Sequence, residues 1–269
     1  MRFDALALAL AACDTASGGC MLVCDGTGGL ATASVMERLG GTGRVCAVHP
    51  SQQPPQLDIV RFFNFDEAHL RTLRRAPLTL LEAAFAHGTG DAPAALAAAE
   101  AAQAQAAAVG EPAPGGVVAM ADGEQAPPPP GQPTVGGSVR GAKGHSSGRI
   151  TGASQADALG YAATGGFGGL LCCHPGYDPT ALLARLLPLL AGGSPFAVFA
   201  NSAQPLAEAA DSLLRQKCVV CMDLHEPWSR DHQVLPQRTH PMMNMSATGG
   251  FVLTGFTVFA PPPAAAWVG

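Results

Sequence analysis

Short apolar runs alternate with helical stripes along most of the chain, and glycine marks the joints between them. Residues 2–13 carry Phe3, Leu6 and Leu10 at helical spacing and predict an amphipathic helix. A strand follows over 21–24, then a glycine-rich turn over 25–29, a helix over 30–39 and a strand over 44–49, with Gly40, Gly41 and Gly43 ending the helix. That order is a βαβ unit with parallel strands. Asp66 is placed to cap a short helix extending through Arg75.

The pattern stops over 89–148, where Ala, Gly, Pro and Gln dominate and a proline run occupies 127–130. Such a stretch lacks the apolar side chains for a core, so residues 87–150 are read as a disordered insertion. It separates a first half of the domain, 1–86, from a second half, 151–261, with a tail over 262–269. In the second half, strands are predicted over 169–173, 196–200 and 218–224, and helices over 181–190 and 205–217. A last strand over 250–259 follows a loop rather than a helix, which predicts antiparallel pairing. The fold class expected is α/β, Rossmann-like, with a mostly parallel sheet and an antiparallel last strand.

Composition narrows the function classes. With 48% hydrophobic and 13% charged residues, the folded part is apolar, yet no run approaches the length that spans a bilayer. The 5–12 stretch before Cys13 superficially resembles a signal peptide, but Asp4 offsets Arg2 and the helical spacing favours a folded helix. The formal net charge of -5 argues against a stand-alone nucleic-acid binder; RNA contact must be local or shared. Cys13, Cys20, Cys24, Cys46, Cys172, Cys173, Cys218 and Cys221 sit mostly in apolar runs and read as reduced core thiols of an intracellular protein.

Candidate chemistry is sparse. Gly26, Thr27, Gly28 and Gly29 form a turn that exposes backbone N–H groups toward a cofactor, although a tight strand-to-helix crossing needs glycine for steric reasons alone. A nucleotide site on such a sheet needs a carboxylate at the end of the second strand, and His49 stands there. The end of the 169–173 strand offers Cys173 and His174, with no acid before Asp178. Adjacent strand residues face opposite ways, so these two read as a buried thiol beside a loop histidine rather than a nucleophile with its base. The same alternation argues against a zinc or redox role for Cys218 and Cys221, and no metal site is expected. Arg71, Arg74 and Arg75 suggest a basic face at a helix end, open to phosphate or simply solvated. Trp228, Arg230, Arg238 and His240 lie in a loop rich in aromatic and basic residues, which suits an interface or an RNA contact.

That loop and the strand after it, "HEPWSRDHQVLPQRTHPMMNMSATGGFVLTGFTVF", resemble the C-terminal signature of the non-catalytic subunit of tRNA adenine-58 N1-methyltransferases. "MLVCDGTGGLATASVMERLGGTGRV" and "FNFDEAHLRTL" are similar to earlier blocks of the same family. The resemblance implies a methyltransferase-like fold with no catalytic residues, paired with a homologous catalytic subunit as a heterotetramer. It also implies a share in holding tRNA, S-adenosylmethionine bound by the partner and not by this chain, and nuclear localisation. Compared with the catalytic sister family, the chain keeps Gly26, Thr27 and Gly28, but has Leu30 for a third glycine, His49 for the ribose-binding acid and Cys173 near the catalytic Asp. The family pattern also places a β-rich domain ahead of the block that opens at Met1, so a shortened form is expected. Two other readings stay open: an active S-adenosylmethionine-dependent methyltransferase using Gly26 to Gly29, and a protein-only scaffold without RNA contact.

Overall fold

The strongest apolar runs become the inner strands of one sheet: β1 (Cys20–Asp25), β2 (Arg44–His49), β4 (Gly169–Cys173) and β5 (Pro195–Ala200), each buried along nearly its whole length. Burial on both faces is what a parallel strand covered by helices requires. The computed structural model describes residues 1–51, 55–87, 158, 166–246 and 248–258. The described residues belong to one compact unit. Most of the 87–150 insertion and all of the 262–269 tail lie outside the described residues.

The remaining strands of this sheet are β3 (Leu73–Pro77), β6 (Val219–His225) and β9 (Phe251–Thr257), in the spatial order β3-β2-β1-β4-β5-β9-β6. β9 runs antiparallel to both β5 and β6, and the β1, β2, β3, β4 and β5 pairings are parallel. The expected sheet, with its antiparallel last strand, is therefore the one observed. Because β9 starts opposite Ala200, the connection from β6 to β9 emerges at the carboxyl ends of the parallel strands. Within it β7 (His232–Gln233) and β8 (His240–Pro241) form a small ribbon.

Helices cover both faces. α1 (Phe3–Ala12), α2 (Leu30–Leu39) and a 3-10 helix over Asp58–Phe63 pack on one side. α4 (Leu78–His87), α5 (Pro179–Leu186), its 3-10 extension Leu187–Leu189 and α6 (Ala203–Gln216) pack on the other. Arg185 of α5 clasps Glu82 of α4 with two hydrogen bonds of 2.6 and 2.8 Å, tying together elements from the two halves of the chain.

Three expectations need correction. α1 does not bury a stripe of Phe3, Leu6 and Leu10; Phe3 is exposed, and Ala5, Ala9 and Leu10 face the sheet. Small side chains let this helix lie close to the strands. The helix capped by Asp66, α3 (Glu67–Thr72), stops before Arg75, because Leu73 adopts extended backbone and 73–77 pairs with β2. Arg74 and Arg75 are therefore edge-strand residues. The helix expected over 181–190 starts earlier, with Asp178 as its N-cap and Pro179 in the first turn, and tightens to 3-10 from Leu187.

Candidate functional site at the mouth of the sheet

The carboxyl ends of β1, β2 and β4 bring the glycine turn, His49 and His174 together, the place where ligands of open α/β sheets bind. Asp25 ends β1 with its carboxylate buried. It accepts four hydrogen bonds: from Thr27 N–H and Oγ1 at 2.7 Å each, and from Thr32 N–H and Oγ1 at 2.8 Å each. Thr27 Oγ1 also receives the Ala31 N–H at 3.2 Å. The first donors of α2, ordinarily the anion-binding end of such a helix, are thus bonded within the chain.

The glycines face the chain's own atoms. Gly29 has φ of 101° and lies so close to Leu57 that a Cβ there would come within 2.8 Å of its Cα. Ile59 N–H donates to the Gly28 carbonyl at 3.1 Å. On Gly26, a Cβ would stand 3.0 Å from His174 Cα and Cγ. Gly26 and Gly29 thus have a packing reason for being glycine, and Gly28 has a positive φ of 75°.

His49 is buried at the end of β2. Its Nδ1–H donates to the Ser51 carbonyl at 2.7 Å, and burial holds its pKa below the ordinary histidine value, so the ring is neutral near pH 7. His174 is likewise held low by burial, and its Nδ1 is buried without a hydrogen-bond partner among the described residues. Tyr177 meets the His174 ring edge-on at 4.6 Å. Asp25, Gly26, Gly28, His49, Gln56 and His174 line a cavity of about 290 Å³. A second one, about 340 Å³, lies between the ends of β4 and β5 and is lined by His174, Tyr177, Asn201 and Ser202 among others. Cys173 is fully buried, its thiol pushed well above its ordinary pKa by burial, and it belongs to the core under α1 and α2. All eight cysteines are free thiols, six of them buried; Cys218 is among these, whereas Cys221 is exposed beside a bulge in β6.

The basic residues singled out from the sequence do not share one face. Arg71 is exposed and paired with Glu67 at 2.6 Å. Arg74 donates to the carbonyls of Arg71 and Leu73, closing the end of α3. Arg75 is half-buried, which lowers its pKa. Trp228, Arg230, Arg238 and His240 lie in the β6–β9 connection, exposed, at the other edge of the sheet. Six strand intervals of about 4.8 Å, roughly 29 Å, separate the two edges. Arg2 and Asp4 went unnoticed as contributors, since their contacts reach across more than two hundred residues. Arg2 donates to the Ser229 and Ser246 carbonyls, and Asp4 accepts the Ser229 N–H and Oγ, so the start of α1 holds both ends of this connection.

The comparisons with known proteins divide along the chain. The Gcd10p family matches residues 1–107, from α1 past β3 and α4. That match takes in under half of the chain's 269 residues. The chain is also 43% identical over 82 residues to a mouse (Mus musculus) protein named tRNA (adenine(58)-N(1))-methyltransferase non-catalytic subunit, covering 30% of this chain and 16% of that protein. The counterpart from Dictyostelium discoideum is 39% identical over 85 residues, covering 32% of this chain and 16% of its own length. The aligned part is thus under a fifth of either relative. The β6–β9 connection lies beyond the Gcd10p match. In three dimensions the chain is similar to a SAM-dependent O-methyltransferase from Thermotoga maritima, with a TM-score of 0.52 and 12% identity, covering 95% of this chain and 64% of the other. That likeness shows the Rossmann-like methyltransferase fold.

The fold implies S-adenosylmethionine, and the residues present do not fit it. A ribose needs a carboxylate at the end of β2, where neutral His49 is turned onto Ser51. The Asp25 carboxylate and the first donors of α2 are engaged with one another, and the cavity beside them sits at the low edge of the roughly 300–1,000 Å³ of ligand pockets.

Proposed function

We propose that this chain acts as a non-catalytic subunit in a tRNA adenine-58 N1-methyltransferase complex, supporting tRNA binding and assembly with a homologous catalytic subunit that holds S-adenosylmethionine. The complex is a nuclear heterotetramer in this reading. The observation that carries it is His49, a neutral imidazole in the ribose-carboxylate position of a chain whose first 107 residues are Gcd10p-like. Among the described residues the mouth of the sheet keeps the turn and lacks the groups for chemistry. Partner and RNA contacts then fall to the surface, foremost to the β6–β9 connection with Trp228, Arg230, Arg238 and His240, and secondarily to Arg71, Arg74 and Arg75.

The engagement of Arg71 and Arg74 within the chain, together with the net charge of -5, favours a second reading, a protein-only scaffold. Replacing Arg230 and Arg238 by Ala in the complex with the catalytic subunit separates the two. If both contact phosphates, tRNA binding weakens and its log–log salt slope falls by roughly 2. An unchanged affinity and slope would establish the scaffold reading instead.

A further inference from the structure

We propose that the imidazole of His174 is a built-in plug: it occupies the space over Gly26 through which a purine nucleoside, free or as part of S-adenosylmethionine, would reach the glycine turn. The proposal rests on the non-catalytic reading above and deepens it, since it assigns the closure of the cleft to one side chain and not only to the missing acid at His49.

Three features converge on this ring. It fills the Cβ direction of Gly26, the face that glycine leaves open for close approach of a ligand, at 3.0 Å from Cγ and 3.1 Å from Nδ1. It lines both cavities of the mouth, of about 290 and 340 Å³, so removing the ring is expected to open one toward the other and give room for a nucleoside. Finally, Nδ1 is buried with no partner among the described residues, so at that atom the ring is seated by packing, against Gly26 on one side and edge-on to Tyr177 on the other. Such a buried, unpaired nitrogen is costly in a native structure. The cost makes sense where filling the space matters more than satisfying the atom.

The contact is tested first without any ligand, in the full chain. Gly26→Ala sets a methyl against the ring and lowers the melting midpoint by roughly 3–10 °C, and adding His174→Gly recovers the part of that loss due to the ring, while the 3.0 Å approach to His174 Cα remains. A Gly26→Ala protein that melts like the wild type would overturn the seating of the ring, and this readout holds even if His174→Gly alone folds poorly. The second arm titrates S-adenosylmethionine and adenosine into the wild type, His49→Asp and His49→Asp/His174→Gly, with thermal shift and calorimetry as readouts. The expected result is no binding by the first two and binding at least about tenfold tighter by the double variant. If His49→Asp alone binds as well as the double variant, or if the folded double variant gains nothing, the plug is wrong while the non-catalytic reading stands. Binding by the wild type would overturn both.

Discussion

The turn after β1 and the ends of β2 and β4 border one cleft, yet their polar groups are treated in opposite ways. Around Asp25 every carboxylate lone pair is used, by two hydroxyls and two backbone donors, one in the turn and one in the first turn of α2. Across the cleft His49 spends its proton on a neighbouring carbonyl, and His174 carries a buried nitrogen with no partner among the described residues. Residues whose work is to fold the turn fit a methyltransferase-like pattern, and residues at the positions that would meet a ligand do not. The turn can keep its shape without a ligand, because it is stabilised from within.

The sharpest way to break that contrast is Asp25→Ala. It strands four donors in a buried site, and we expect a loss of about 3–5 kcal/mol in urea unfolding, enough to unfold a marginal domain. A loss under about 1 kcal/mol would mean that the turn does not depend on this carboxylate. Gly29→Ala comes next, forcing a side chain into positive φ and against the Leu57 backbone, at a cost of about 1–3 kcal/mol. Were that glycine kept for a ligand, its replacement would leave the melting midpoint unchanged.

The opposite side of the cleft predicts a dependence on pH. His49 and His174 have folded-state pKa values below the ordinary histidine value, so the unfolded chain takes up protons first as pH falls. Their stabilising effect is complete above the ordinary value of about 6.5 and is lost as pH drops through it toward the folded values. The urea midpoint should therefore fall between about pH 7.5 and pH 5, and His49→Gln should flatten that fall. A flat profile in the wild type would contradict burial of the two rings. The smallest effect is expected from Arg230→Ala, which leaves stability within about 0.5 kcal/mol because the side chain is exposed and, among the described residues, makes only long contacts to Met242 and Met243.

How far the sequence could be read follows from which forces placed each element. The helix over 30–39 and the strands over 44–49 and 169–173 were legible to the residue, because glycine caps and unbroken apolar runs are local signals. β3 was not, since Leu73–Pro77 carries two arginines and a proline and becomes a strand through pairing with β2, a tertiary effect that overrides local propensity. α4, which follows at once, was also unassigned. At the site, the glycine turn and the change to His49 could be seen in the chain itself. The roles of Asp25 and of His174 could not. Each depends on contacts made only once β1 and β4, separated by more than 140 residues, lie side by side with Asp25 opposite Cys173.

The central claim, a subunit that does no chemistry but is needed for it, is tested most directly by methyl transfer to an unmodified tRNA transcript. The chain alone, a catalytic subunit alone and the two co-purified are compared at equal concentration. Activity confined to the mixture is the predicted result; methyl transfer by this chain alone would contradict the account.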